Sequence, residues 1–289
     1  MQFESFSLIG RHSSVAALVP HFRCEHWLVD CLDSLISQTR PLQAIIVIDD
    51  ASDPPPTETV QQFPSVSLLA SEENVGPYRL IQQVITNTHF DAYLLNDADD
   101  WSLDARLSIL LDAAEREGAQ MVGSQAVRLH CAEGEAISAC YPTDVNAALV
   151  RNPISHALLH GSSILSRELV MRIGGFSTAL KFSADSEFLW RAAHIARIIN
   201  VPQYCYFRRI WSGALTVAPE TGLQSMARRN VRSLLRERAA QNVAATKEGG
   251  QPNLTPMSVA PPIKLSHVCG PELRDASVND KLFAPARHE

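Results

Sequence analysis

Three carboxylates fall within four residues at Asp97-Ala98-Asp99-Asp100, directly after the apolar run Asp91-Ala-Tyr-Leu-Leu95. Packed together they repel one another, which costs stability unless a cation or hydrogen-bond donors compensate. Alternate carboxylates at a strand end can face one divalent ion, and hard oxygen ligands suit Mg²⁺ or Mn²⁺. An ion held there can also hold a diphosphate. The plainer alternative is a solvated turn leading into the next helix, with Asp100 or Ser102 as its N-cap. A second acidic pair, Asp49-Asp50, ends another apolar run, Ala44-Ile-Ile-Val-Ile48.

These residues need a frame that brings them together. Val15-Ala-Ala-Leu-Val19, Ala44 to Ile48, Val66 to Leu69, Asp91 to Leu95 and Gln120 to Val127 read as buried strands. Between them Glu25 to Ser37, Gly76 to Thr86 and Leu103 to Glu117 show apolar residues at helical spacing. Such alternation predicts an α/β fold with a mostly parallel, Rossmann-like sheet flanked by helices on both faces. Ligands in such sheets bind beyond the carboxyl ends of the strands. That rule gathers His21-Phe22, Asp49-Asp50 and Asn96 to Asp100 along one edge.

After about residue 128 the pattern changes. A hairpin is expected over Val127–Leu129 and Ala136–Tyr141, an extended segment over His156–Leu165 and short helices over Ser166–Ile173 and Asp185–Ala196. A strand follows at Tyr204–Ile210, then a helix over Gly222–Gln241 that carries Arg228, Arg229, Arg232, Arg236 and Arg238. Val231, Leu234 and Leu235 suffice to dock that helix. Residues 242–289 are Pro-rich with little periodicity, which predicts a disordered tail or a loosely docked arm.

The motifs fall in an order that resembles the family 2 glycosyltransferases, which have the GT-A fold, over about residues 15–193. Val15 to Arg23 is similar to the family's opening strand and P-x-Y-N-type turn, with Pro20 and Phe22 in the matching places. Leu32-Asp-Ser-Leu-Ile-Ser-Gln-Thr-Arg-Pro41 resembles C-L-x-S-L-x-x-Q-T-x-P, and Ile46 to Asp53 resembles V-D-D-G-S-x-D. Asn74-Val-Gly76 matches N-x-G, and Asp97-Ala98-Asp99 sits at the D-x-D. Gly174-Gly-Phe176 followed by Ser183 to Arg191 is similar to G-G-F and the E-D-x-x-x-x-x-R helix.

The resemblance implies one domain over about 1–241, with a donor-binding half before about 127 and an acceptor half after it. Phe22 would stack near a nucleotide base, Asp50 would hydrogen-bond to it and Asp49 would assist or pack beneath. Asp97 would face the ribose or a metal, and Asp99 would be the main ligand of Mn²⁺ or Mg²⁺. Asp185 would be the general base of an inverting transfer from a nucleotide-sugar to a glycan or lipid-linked acceptor, with Glu187 a solvent-facing alternative. Arg191 would brace the base helix or touch substrate. His160, Gly161 and Trp190 fall in the acceptor region, where Gly161 would let substrate approach closely.

Departures from the family pattern matter too. Ile81-Gln82 stands where the family has a diphosphate-contacting Arg-Asn, leaving Arg79 as a candidate substitute. Ala51 replaces a Gly, Ala184 a Glu, and Trp211 lies where a metal-side His is common. These changes keep a second reading open, a catalytically degenerate binding or scaffold domain. A phosphohydrolase would need a D-x-D loop after the first strand, which ends instead in His21-Phe22.

Composition fits a globular chain: 289 residues, 46% hydrophobic, 19% charged and a formal net charge of −6, which argues against a nucleic-acid binder. No apolar run reaches the roughly 18–20 residues of a membrane span. The first residues lack the basic and apolar regions of a signal peptide. Six irregularly spaced cysteines without a CxxC favour reduced thiols over a disulfide framework or zinc site. A cytoplasmic protein is therefore expected. The arginines of residues 228–238 would allow peripheral contact with an anionic membrane face.

Overall fold

A computed structural model describes residues 3–219 and 221–273. Its first part alternates as expected: β1 (Val15–His21), α1 (Glu25–Ile36), β2 (Ala44–Asp49), α2 (Thr57–Val60), β3 (Val66–Ser71), α3 (Pro77–Asn87) and β4 (Ala92–Leu95). A two-residue strand, β5 (Trp101–Ser102), precedes α4 (Arg106–Glu117) and β6 (Met121–His130). Then come β7 (Glu135–Ala139), α5 (Val145–Arg151), a 3₁₀ turn (His160–Ser162), β8 (Ile164–Ser166), α6 (Arg167–Arg172) and α7 (Ala184–Ala192). The chain continues through β9 (Ile198–Ile210), α8 (Met226–Lys247) and β10 (Leu265–Cys269).

The strands form one sheet in the order β10-β3-β2-β1-β4-β8-β6-β9-β5, with β7 paired to β6. β3, β2, β1 and β4 run parallel. The apolar strands supply both faces. Ala16, Leu18, Ile46 and Ile48 pack into one core beside α3 and α7, whereas Val15, Ala17, Val19, Ile45 and Val47 pack into the other beside α1 and α4. Alternation along each strand divides these sets, because successive Cβ atoms leave opposite faces. Antiparallel β8 sits between β4 and β6, so the strands after residue 128 extend the same sheet.

The chain after residue 241 departs from the expected loose tail as far as it is described. α8 continues to Lys247, and the following segment straps across α3 and α7. Proline leaves few N–H groups to donate, so side chains of the body complete the docking. Met257 N donates to Ser177 Oγ, Ala260 N to Thr178 Oγ1 and Ile263 N to Gln83 Oε1. β10 then pairs antiparallel with β3 and covers what would otherwise be an open sheet edge. Residues 274–289 lie outside the described chain.

Two turns at the functional edge hold non-glycine residues in left-handed backbone: Arg23 at φ 51° and Ala51 at φ 60°. At Ala51 the resembling family has Gly, which adopts this region freely. A Cβ there costs about 1–2 kcal/mol. Glycine's greater freedom in the unfolded chain takes back about 0.5–1 kcal/mol. Ala51→Gly is therefore expected to raise the melting temperature by about 1–3 °C. A melt with no rise, or a fall, would contradict strain at this turn.

Candidate active site

The parallel register brings the three predicted segments together. His21 pairs with Asp49 and Leu18 with Leu95, so Phe22, Asp50 and Asn96 to Asp100 emerge on one edge. Phe22 is 43% exposed rather than part of the core, which leaves a ring face free for stacking, and Pro20 sits half-buried beneath it in β1. Asp49 packs below that edge. Its Oδ1 meets His21 Nδ1 at 2.7 Å, and its Oδ2 accepts Ser52 N at 2.8 Å. Asp50 ties β2 to the start of α3, accepting Val75 N at 2.7 Å and Gly76 N at 2.9 Å. Burial still raises its pKa against those bonds. Each oxygen keeps one lone pair for a further donor.

The D-x-D loop rests on buried scaffolding. Arg106 is wholly buried and donates to Asn96 Oδ1, Ser102 Oγ, Leu95 O and Gly161 O at 2.7–2.8 Å. Its guanidinium lies 4.9 Å from the centre of the Tyr206 ring, whose hydroxyl accepts Asp97 N at 3.0 Å. Ala98 is buried in the core, while Asp97 on one side of it reaches solvent and Asp99 on the other is half-buried. Asp100 and Ser102 do not cap a helix. α4 begins at Arg106, and Asp100 Oδ1 accepts Arg209 N at 2.7 Å while Ser102 bonds Asn96 and Arg106. Burial, then Asp99 and Asp97, hold the Asp100 carboxyl well above the usual carboxylate range.

Asp97 reaches solvent beside Gly161. The surrounding protein, then the Asp99 carboxylate, push its pKa up to about 6, opposed by Arg208 and Arg106. Asp99 Oδ2 accepts the indole N–H of Trp211 at 2.7 Å. Trp211 thus occupies the expected metal-side position as a donor that orients a carboxylate, not as a ligand. No group of three His, Cys, Asp or Glu residues that could hold a metal is found among the described residues. The two carboxylates nonetheless suit Mg²⁺ or Mn²⁺, which commonly take one or two carboxylates and complete their shell with substrate phosphates and water.

Because the folded-state pKa of Asp97 lies above the usual 3.8, the folded protein holds that proton more tightly. Its contribution to stability is full below about pH 4 and is lost as pH rises through about 6. Without divalent metal, the melting temperature should fall across that window, and Mn²⁺ should oppose the fall above it. Asp97→Asn should make the fall shallower, leaving the part set by Asp50 and Asp100, whose carboxyls are also raised. Melts that are flat between about pH 4 and 6, or identical profiles for the two proteins, would contradict this placement.

Asp185 stands at the second position of α7, half-buried, with Ser183 as a left-handed N-cap residue at φ 66°. Its charge acts on Asp97, Tyr78, His156, His160 and Arg228. Glu187 does not face solvent as expected. It is buried and bound at both oxygens by Arg191 at 2.7 Å. Arg191 braces the site, donating also to Ile173 O, Gly175 O and Leu254 O.

His160 is buried among Tyr78 and Phe176, with ring centres 5.3 and 5.4 Å away, and its Nε2 has no partner. Burial drives its pKa down to about 4, so it is neutral at neutral pH. Gly161 lets its neighbours pack closely: a Cβ there would come within 2.9 Å of Asp97 Oδ2 and 2.5 Å of Tyr206 Oη. Trp190 donates to Ser155 O at 3.2 Å, tying the acceptor-side segment to α7. Arg79, the candidate substitute for the family's diphosphate arginine, donates from Nε and Nη2 to Pro261 O on the C-terminal strap.

The expected arginine stripe on α8 is likewise divided. Arg228 is buried over the Phe182 ring and Arg238 binds Thr255 O, while Arg229 and Arg236 are exposed. Of the expected docking residues, Leu235 is buried but Leu234 is 53% exposed. Sequence reasoning missed Arg106, Tyr206, Tyr78 and Arg208. Arg106 lies on the core face of an otherwise amphipathic helix, where a charge is the visible anomaly. The other three give no local signal.

A mixed sheet with β8 inserted, acids at its carboxyl edge and a carboxylate helix opposite together define the GT-A architecture of sugar-nucleotide transferases. The chain belongs to glycosyl transferase family 2, whose model matches residues 16–174. Among solved structures it is similar to S. aureus TarS residues 1–349 in complex with UDP, at 18% identity and TM-score 0.56 over 68% of this chain and 60% of that one. It is also similar to the same TarS fragment with UDP-GlcNAc, at 16% identity and TM-score 0.58 over 70% and 60%. The match thus spans about three fifths of those chains. No curated protein matches the sequence significantly. Among the described residues no helix is long and apolar enough to cross a membrane.

Proposed function

We propose that the protein is an inverting, divalent-metal-dependent glycosyltransferase that moves a sugar from a nucleotide-diphosphate donor to an acceptor hydroxyl in polysaccharide or glycan assembly. The observation that carries this is the convergence of Asp97 and Asp99 at the sheet edge with Asp185 opposite, close enough for Asp185 to act on Asp97. Phe22 offers the base a stacking face. Asp97 and Asp99 would hold Mn²⁺ or Mg²⁺, which would supply charge neutralisation for the departing diphosphate.

Asp185 accepts the proton of the acceptor hydroxyl as that oxygen attacks the anomeric carbon. The bond from carbon to diphosphate oxygen breaks on the far side, and the diphosphate leaves with the electron pair. Attack opposite the leaving group inverts the anomeric centre. Burial keeps His160 neutral at neutral pH, so it does not compete with Asp185 for that proton.

The engagement of Arg79 by the strap favours a degenerate binding domain as the second reading. Metal-dependent release of nucleoside diphosphate from nucleotide-sugars separates the two. The transferase turns over at least one of the uridine, guanosine or thymidine donors in Mn²⁺, while a scaffold binds without turnover. The acceptor is a glycan or lipid-linked molecule, and the exposed Arg229 and Arg236 suit peripheral contact with an anionic membrane.

A further inference from the structure

α3 begins with an aromatic residue that the mechanism above leaves unused. Tyr78 is its second residue, two after Gly76, whose N–H is held by Asp50 at the donor edge. Tyr78 and Gln82 lie one turn apart on one face of α3. Gln82 Oε1 accepts Phe176 N at 3.0 Å, so that face is turned toward the Gly174–Phe176 turn. The Tyr78 ring stacks on Phe176 at 5.7 Å and meets His160 at 5.3 Å. Phe176 stacks in turn on Phe188 at 4.3 Å, and Phe188 shares a face of α7 with Asp185. His160 leads directly into Gly161, where a Cβ would come within 2.9 Å of Asp97 Oδ2. A row of packed rings thus connects Tyr78 to the base helix, and one peptide step from His160 connects it to the D-x-D carboxylate.

The ring is engaged, but the hydroxyl is not. It has no hydrogen-bond partner among the described residues, and unlike His160 Nε2 it is not enclosed. Tyr78 is half-buried, a setting in which a phenol ordinarily finds a partner for its O–H. Burial, then Asp185 and Asp97, hold its pKa well above the usual 10, so it stays a neutral donor. A neutral donor suits a neutral hydroxyl, whereas a phosphate calls for a guanidinium or an ammonium. Ile81, where the family has its diphosphate arginine, is buried in the core. The diphosphate belongs at the Asp97–Asp99 edge and the acceptor hydroxyl at Asp185. The sugar being transferred therefore spans the gap that Tyr78 borders.

We infer that Tyr78 helps determine which sugar is transferred, its phenolic O–H donating to one hydroxyl oxygen of the sugar carried by the donor. This rests on the transferase reading above and goes beyond it in naming a residue that reads the sugar. Packing against Phe176 and His160 fixes the ring, so the hydroxyl is presented from one place. A sugar without an oxygen at that place leaves the phenol unpaired, which is how a hydrogen-bonding site rejects a deoxy analogue.

The test compares the full wild-type chain with Tyr78→Phe, which keeps the ring and removes only the hydroxyl. Release of nucleoside diphosphate in Mn²⁺ is followed from uridine, guanosine and thymidine diphosphate hexoses: glucose, galactose, mannose and their N-acetylamino forms. For the donor that turns over fastest, Tyr78→Phe should lower kcat/KM about five- to tenfold. The melting temperature should stay within about 1 °C, and affinity for the bare nucleoside diphosphate within about twofold. The same donor deoxygenated at each sugar hydroxyl in turn then locates the contact. At one position the wild type should lose about the same factor while Tyr78→Phe loses nothing further. Unchanged kcat/KM in the variant overturns the assignment. An equal loss of affinity for the bare nucleoside diphosphate overturns it too, because the hydroxyl would then serve the nucleotide. A loss that no deoxy position shares also overturns it, because the hydroxyl would then serve the fold or the acceptor. If no donor turns over, whether or not nucleoside diphosphate binds, the transferase reading itself has failed and the assignment falls with it.

Discussion

Asp185→Asn is expected to lower kcat by about 10³-fold while leaving donor affinity and fold intact. The carboxamide keeps the size of the side chain but cannot take the acceptor proton. Asp185 sits at the second position of α7, and the helix is held by other groups: Arg191 with Glu187, Gly175 O and Ile173 O on its inner face. Removing one half-exposed carboxylate leaves that bracing untouched. Nucleoside diphosphate should therefore bind the variant as it binds wild type, with an unchanged melting temperature. Transfer within about threefold of wild type would remove Asp185 from the mechanism. Glu187 would not be its replacement, because both of its oxygens are bound by a buried arginine.

Asp99→Ala is expected to reduce turnover by about 10²–10³-fold and to abolish the Mn²⁺ requirement for nucleotide binding. Asp99 holds one oxygen on the Trp211 indole, which points the carboxylate and leaves the other oxygen for a cation. Two protein ligands leave little redundancy, since no third His, Cys, Asp or Glu joins them among the described residues. The loop itself should survive the change. Its backbone is fixed by Arg106, by Asn96 Nδ2 donating to Asp97 O and by Tyr206. Trp211→Phe should reproduce part of the loss by freeing the carboxylate to rotate. Metal-dependent binding that persists in Asp99→Ala would show that the cation lies elsewhere.

Much of this was readable from residues alone where the physics is local. The apolar strands with acids at their ends, the helices with 3.6-residue spacing and the motif order placed Phe22, Asp97, Asp99 and Asp185 without coordinates. Contacts between distant segments were not readable. Nothing near Arg79 in sequence says that Pro261 will take its donors. Glu187 reads as a solvent-facing acid because its i,i+4 partner Arg191 is visible in the sequence but the strap that covers both is not. The Pro-rich stretch after residue 249 reads as loose because its docking depends on Ser177, Thr178 and Gln83 from the body, not on its own periodicity. Arg106 shows the same limit from inside: a fully buried guanidinium is paid for by four acceptors on three segments.

The central claim is a donor site at the sheet edge built on a divalent cation. Calorimetric titration of wild type with uridine, guanosine and thymidine diphosphates, with and without Mn²⁺, tests it most directly. One of them should bind with one-to-one stoichiometry in Mn²⁺ and at least about tenfold more weakly in EDTA, with the difference lost in Asp99→Ala. Failure of all three to bind in the presence of metal would contradict the account.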